Sequence, residues 1–330
     1  MSTHATERFL VPRMDAVEKS TGAATYTEDL PLPYGTLYAS ILHSPYAHAR
    51  LVSINVERAE SLPGVHAVLT RDNLQDIPPF ADPASFGEEG EGSPPIIALK
   101  KVRYEGEPVA AVAADSLAIG QRALELIEVD YELLPAVFGP LEAMKPDAPI
   151  IHEKRPGNVV GRFDFGWGDV DEGFKQADHI FEGTYSSQSV FHHPMENNGG
   201  GVAEFRGDGL DLLMPIQHPY GHRHEIAEMF GLDINKVVIH FPYVGGGFGS
   251  KELKTEHLIA ILLARRSGRP VALHPSAEES FRTDCRHASV YKVRTGVKSD
   301  GTLVAQDIVL AMDKGAYGHG GMNVPRRASS

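Results

Sequence analysis

A chain of 330 residues, 42% hydrophobic and 23% charged, has the balance of a globular protein with room for two cores. Its formal net charge of -13 argues against nucleic acid or an anionic membrane as a principal partner. The lone cysteine, Cys285, excludes an internal disulfide framework and any four-cysteine zinc or iron–sulfur site, and is expected to be a small buried filler. MSTHATERFLVPRMDAVEK has no apolar leader core, and no apolar run approaches the roughly 20 residues needed to span a bilayer. The expectation is a cytoplasmic protein.

In chain order, TLYASILHS and EPVAAVAAD predict buried strands, and SLAIGQRALELI predicts a helix capped by Asp115 or Ser116. EVDYELL alternates as a strand does. The polar stretch ADPASFGEEGEGSPP, 81–95, predicts a surface loop. Residues 1–140 form one α+β unit, and 141–157, rich in proline, a linker. A second unit, 158–330, opens with a short helix after Asp169 and a strand. GHRHEIAEMFGLD predicts a helix closed near Gly231, where glycine tolerates left-handed geometry. VRTGVKSDGTLVAQDIVLAMDKGAY predicts two antiparallel strands turning at Ser299-Asp300-Gly301.

The richest motif is VGGGFGSKE, 244–252, between the strand VVIHF and a helix expected over KELKTEHLIAILLARR. Glycines so closely spaced let backbone N–H groups approach a bound group. A Walker A loop is excluded because Ser250 precedes Lys251, and a dinucleotide fingerprint because the final glycine spacing is absent. A tight turn packing a helix on a sheet is the plain alternative. Lys251 is expected either to cover whatever group the turn binds or to face solvent from a helix. His218, His222 and His224 lack the HExxH zinc pattern, and surface or helix-capping roles are expected for them.

Taken together, RMDAVEKSTGAATYTEDL, LYASILHSPYAHARLVSI, LPGVHAVLT, VRYEGEPVAAVAAD, IEVDYELLPAVF, FHHPMEN, PIQHPYGHRHEIAEMFGLDINKVVIHFPYVGGGFGSKE and RPVALHPSAEESFRTDCRHA follow one another in a family order. The chain resembles the molybdenum-binding subunit of the xanthine dehydrogenase and aldehyde oxidase family, the molybdenum hydroxylases. The resemblance implies an α+β fold: an α/β-hammerhead domain, then the first part of a molybdopterin-binding α/β domain.

It also implies site residues. Gln217 matches the glutamine whose amide contacts an oxygen ligand on molybdenum, a task suited to a neutral N–H donor. By its type alone it is equally a strand-end glutamine bonding backbone. Gly246, Gly247, Phe248 and Gly249 match the turn that brings backbone N–H groups to the cofactor. Glu252 matches a residue that orients substrate, while Glu196, beside His192 and His193, is expected to be structural. The metal is held by the dithiolene of molybdopterin, as mononucleotide or cytosine dinucleotide, so no protein metal ligand is expected.

The implied reaction puts water-derived oxygen into an electron-poor C–H bond of an N-heteroaromatic or aldehyde substrate. No glutamate follows Glu279. The resemblance puts the family's general-base glutamate in a later part of the molybdenum domain, so the base is expected on a second molybdopterin-binding chain, as in the split large subunit of nicotinate hydroxylases. Iron–sulfur and FAD subunits complete the expected heteromer, and no nucleic acid or membrane is involved. The alternative expectation is a truncated or non-catalytic relative acting in assembly or binding.

Overall fold

Apolar runs become elements in the order their patterns suggest. The computed structural model describes residues 13–74, 94–192, 195–197, 199–283 and 285–318. The expected loop at 81–95 lies almost wholly outside them. Helix α1 (Ala16–Thr21) and strands β1 (Leu37–His43) and β2 (Ala49–Asn55) come first, then α2 (Glu57–Glu60), β3 (Val65–Thr70) and β4 (Lys101–Val102). They are followed by β5 (Pro108–Ala114), α3 (Leu117–Leu124), β6 (Glu128–Leu133) and α4 (Pro140–Ala143). Beyond these lie α5 (Val170–Lys175), β7 (His179–Ser187), β8 (Gly201–Arg206), β9 (Gly209–Leu213), α6 (Pro219–Phe230) and β10 (Val237–His240). The last are α7 (Thr255–Ser267), β11 (Val271–Leu273), α8 (Ala277–Thr283), β12 (Ser289–Val297) and β13 (Leu303–Met312).

Local chemistry sets the ends. Ser116 Oγ accepts the Ile119 N–H at 3.3 Å and starts α3, and Asp169 accepts the Glu172 N–H at 3.0 Å and starts α5. Gly231, at φ 62°, closes α6. Strands β12 and β13 pair antiparallel about the expected turn, with Thr295 opposite Gln306. The helix expected from Lys251 begins only at Thr255, because the residues before it are wound into the glycine turn.

Seven strands form the main sheet in the order β10-β9-β8-β11-β1-β5-β3. Two three-stranded sheets, β13-β12-β7 and β4-β2-β6, flank it. Strand β5 is buried along its whole length, the signature of a strand covered on both faces. One of its faces meets the cluster around Ala59, Ala123 and Ile127, the other the main core. Helix α7 is apolar on nearly every side, Ile259 to Ala264 all being buried, and lies inside that core.

The main sheet runs across the boundary drawn at 141–157. Strand β11 pairs parallel with β1, Leu37 opposite Val271, so strands of both sequence units share one sheet. The main core likewise combines Leu37, Leu69 and Ile97 with Leu210, Ile226 and Leu262. Among the described residues, no helix is long and apolar enough to cross a membrane.

Candidate functional site

Parallel strands β9 and β10 end at the same edge of the sheet, and each then releases a functional segment. Met214 N–H still donates to His240 O at 3.0 Å. Beyond that bond the chain after β9 runs to Gln217, and the chain after β10 enters the glycine turn 244–252. The two segments rejoin where Gln217 N–H donates to Lys251 O at 2.8 Å.

Gln217 is fixed by its side chain as well. Its Oε1 accepts the N–H groups of Gly249 at 3.0 Å and Lys251 at 3.2 Å. Two backbone donors on one end of the amide identify that end as oxygen, and the NH2 group is left as donor. The backbone-bonding role and the donor role expected of this residue are therefore compatible. Each uses a different end of the amide.

The glycines make this possible. A Cβ on Gly247 would stand 2.3 Å from Gln217 Cδ, and one on Gly245 would stand 2.2 Å from Glu196 Cγ. Gly245, Gly246 and Gly249 have φ of 70°, 92° and 89°, and Phe248 joins them in the left-handed region at 56°. Among the described residues, the N–H groups of Gly246, Gly247 and Phe248 have no hydrogen-bond partner, whereas that of Gly249 is committed to Gln217. Phe248 is 73% exposed, its ring parallel to His192 at 6.3 Å. His192 Nδ1 is 3.0 Å from Ser250 Oγ. Gly245 and Gly246 also line a cleft of about 530 Å³ with Lys19, Tyr26, Met195 and Glu196. Glu196 N–H donates to Gly245 O at 3.2 Å, so this glutamate braces the turn from behind.

Lys251 departs from expectation. It lies before α7, is fully buried, and turns its ammonium back onto Val244 O, closing the turn on itself. Burial lowers its pKa to about 8, against the opposing pull of Glu196 and Glu28. Cys285, expected in the interior, is exposed. Neither position was readable from composition, since each depends on how a loop folds back.

Glu252 faces the first turn of α6. Its Oε2 is 2.7 Å from His222 Nε2, and its Oε1 is 3.5 Å from His218 Nε2. His222 Nδ1 lies 2.8 Å from Glu225 Oε2. Burial of His222 favours its neutral ring, but the hydrogen bonds to Glu225 and Glu252 outweigh this and raise its pKa. His224 is exposed. No group of described residues could hold a metal ion, although histidines and carboxylates meet here. The sequence separates His222 from Glu252 by 30 positions, and nothing in either segment signalled the pairing. The i, i+3 spacing of His222 and Glu225 on a helix was the one available clue.

The model of the molybdopterin cofactor-binding domain matches residues 151–330, more than half of the chain. That of the aldehyde oxidase and xanthine dehydrogenase a/b hammerhead domain matches residues 21–135. The chain belongs to the xanthine dehydrogenase and aldehyde oxidase family. Among its relatives, the xanthine dehydrogenase molybdenum-binding subunit of Escherichia coli O157:H7 is 33% identical, covering 92% of this chain and 41% of that protein. The nicotinate dehydrogenase large molybdopterin subunit of Eubacterium barkeri is 33% identical over 96% of this chain and 72% of its own length. Quinoline 2-oxidoreductase from Pseudomonas putida 86 superposes with a TM-score of 0.82 at 32% identity, covering 90% of this chain and 38% of that one. The chain thus spans about 40% of the length of its xanthine dehydrogenase relatives. These matches bear out the expected fold class, hammerhead followed by molybdopterin-binding domain.

Proposed function

We propose that this chain forms one wall of the molybdopterin site of a multi-subunit molybdenum hydroxylase acting on an electron-poor C–H bond. The observation that carries this reading is the locked amide of Gln217. A side chain whose oxygen is held by two backbone N–H groups, beside three N–H groups of the glycine turn with no partner among the described residues, suits a ligand rich in acceptor oxygens. The residues present therefore fit molybdopterin, whether mononucleotide or cytosine dinucleotide. Gln217 and the N–H groups of Gly246, Gly247 and Phe248 would hold it, with Gly249 holding Gln217 in turn. When bound, the cofactor supplies the two-electron redox chemistry and activates a water-derived oxygen.

The rest of the work falls to side chains. Glu252, at the rim of the turn, accepts a hydrogen bond from substrate and orients the ring. Lys251, inside the turn, keeps Val244 and Glu252 at fixed separation by bonding Val244 O. The proton leaving the substrate carbon goes to a carboxylate on a second molybdopterin-binding segment or chain, and electrons leave through iron–sulfur and FAD partners. An N-heteroaromatic substrate is the reading that the acceptor Glu252 supports over a simple aldehyde.

The test is a tagged purification from the native host, with molybdenum and iron measured in the recovered complex. Molybdenum together with iron–sulfur and flavin chains is expected. Gln217→Ala in that complex should lower turnover or molybdenum content about ten- to a hundredfold, the usual effect of removing a group that orients metal ligands. A variant with wild-type turnover and metal content would reject the assignment.

A further inference from the structure

The sheet β13-β12-β7 is covered on one face and bare on the other. Helix α5 lies on the covered face: the Arg294 guanidinium sits 4.2 Å from the centre of the Phe174 ring, and a Cβ on Gly296 would stand 3.0 Å from that ring. The opposite face is set by register. Tyr291 stands between Tyr185 and Leu310, Val293 between Gly183 and Ile308, and Thr295 between Phe181 and Gln306. Directly opposed residues share a face, so side chains of all three strands meet in one largely apolar surface. Phe181 and Tyr185 are each 63% exposed there, and Ile308 is 50% exposed. Among the described residues, none from β7, β12 or β13 joins the clusters that make up the core.

Strand β7 is the open edge of this sheet. None of its nine residues is buried, whereas every residue of β5 is. An edge strand turns every second N–H and C=O outward, and among the described residues β7 pairs only with β12. The usual protections of such an edge are missing. HIFEGTYSS contains no lysine or proline, and its register against β12 runs from Ser187 to His179 without a bulge. A bare apolar face beside an unprotected edge marks a surface that another polypeptide covers. Quinoline 2-oxidoreductase superposes on 90% of this chain with 38% of its own, so most of that polypeptide lies outside the match. A remainder so large, folded into one subunit, packs against the matched part, and β7 with its bare face offers it both backbone pairing and apolar burial.

We propose that the edge of β7 and the face carrying Phe181, Tyr185 and Ile308 are where a second molybdopterin-binding chain docks. That chain adds a strand to β7 and lays apolar side chains on the bare face. The proposal rests on the reading of this protein as one wall of a shared molybdopterin site, and it names the surface through which the two walls are joined.

The test uses the tagged complex recovered from the native host. With the photoreactive p-benzoylphenylalanine in place of Tyr185, which keeps an aromatic ring there, irradiation is expected to couple this chain to a second one. Mass spectrometry identifies that chain by its match to the part of the family outside the stretch shared here. Phe181→Glu puts a charge on the same exposed face, where the fold of this chain does not depend on the ring, and should lower recovery of the second chain about tenfold. Phe181→Tyr should retain it. Wild-type recovery in Phe181→Glu, or no coupling at position 185, overturns the proposal. Coupling to another copy of this chain, or to a further stretch of the same polypeptide, overturns the occupant named. Molybdenum missing from a complex that couples to the second chain at position 185 supports the surface and overturns the molybdopterin reading. Molybdenum present without coupling does the reverse.

Discussion

At the scale of single residues, the candidate site depends on atoms that are missing. Gly247 has an ordinary negative φ, so its lack of a side chain serves space alone: a Cβ would stand 2.3 Å from Gln217 Cδ. Gly249 is the opposite case, with open space but a φ of 89° that other residues rarely adopt. Gly247→Ala should therefore push Gln217 off the Gly249 and Lys251 amides, with a stability loss of about 1–3 kcal/mol from overpacking. Gly249→Ala should cost a similar amount through backbone strain and leave Gln217 in place. The side-chain amide resonances of Gln217, read beside a thermal melt of each variant, distinguish the two. Identical amide shifts in both would refute the separation. The glycine run and Gln217 were legible in the sequence because their residue types carry the chemistry. Lys251 was not, since a lysine stem is long enough to reach solvent or to fold back onto Val244 O, and the sequence does not choose between them.

At the scale of elements, strands and caps were readable where the chain signals locally. Ser116, Asp169, Gly231 and the turn before β13 each stand where their side-chain or backbone preferences put them. Contacts between distant elements left no local mark. Glu107, just before β5, is fully buried and accepts the Tyr317 hydroxyl at 2.6 Å and the Arg103 N–H at 2.5 Å. Tyr317 follows β13, so this bond pins the last described segment to the hammerhead unit across 210 residues. Burial raises the pKa of Glu107, while the bonds from Tyr317 and Arg103 hold the rise in check. The sign follows from proton counts. A raised acid pKa means the folded chain holds more protons than the unfolded one above the ordinary 4.5, so this group's contribution to stability falls as pH rises through that window. Tyr317→Phe removes the hydroxyl donor from the buried carboxyl and should cost about 1–3 kcal/mol where Glu107 is ionised, and less on the acid side, where the protonated acid needs the donor less. Urea titrations across a pH series measure the difference. A cost that does not change with pH would show that the Tyr317 hydroxyl does not serve an ionised Glu107.

At the scale of the whole molecule, two family domains are built on one sheet. The models matching 21–135 and 151–330 follow one another in sequence, yet β11 of the second lies against β1 of the first, with Leu37 and Val271 both fully buried at the seam. The pairing was invisible in the sequence because parallel partners more than 200 positions apart share no turn and no spacing rule. It matters for the site, because α7, which follows the glycine turn, packs on strands of both units, β8 and β11 on one side and β3 and β5 on the other. Rigidity of the turn is therefore borrowed from the hammerhead strands. Leu37→Ala would open a cavity at this seam and should cost about 2–5 kcal/mol. If the sheet opens as one unit, hydrogen exchange in the variant should quicken in β8, β11 and α7 as well as in β1, β5 and β3. Faster exchange confined to residues 21–135 would mean that the hammerhead opens alone. The glycine turn and Gln217 would then owe their geometry to the molybdopterin-binding unit by itself.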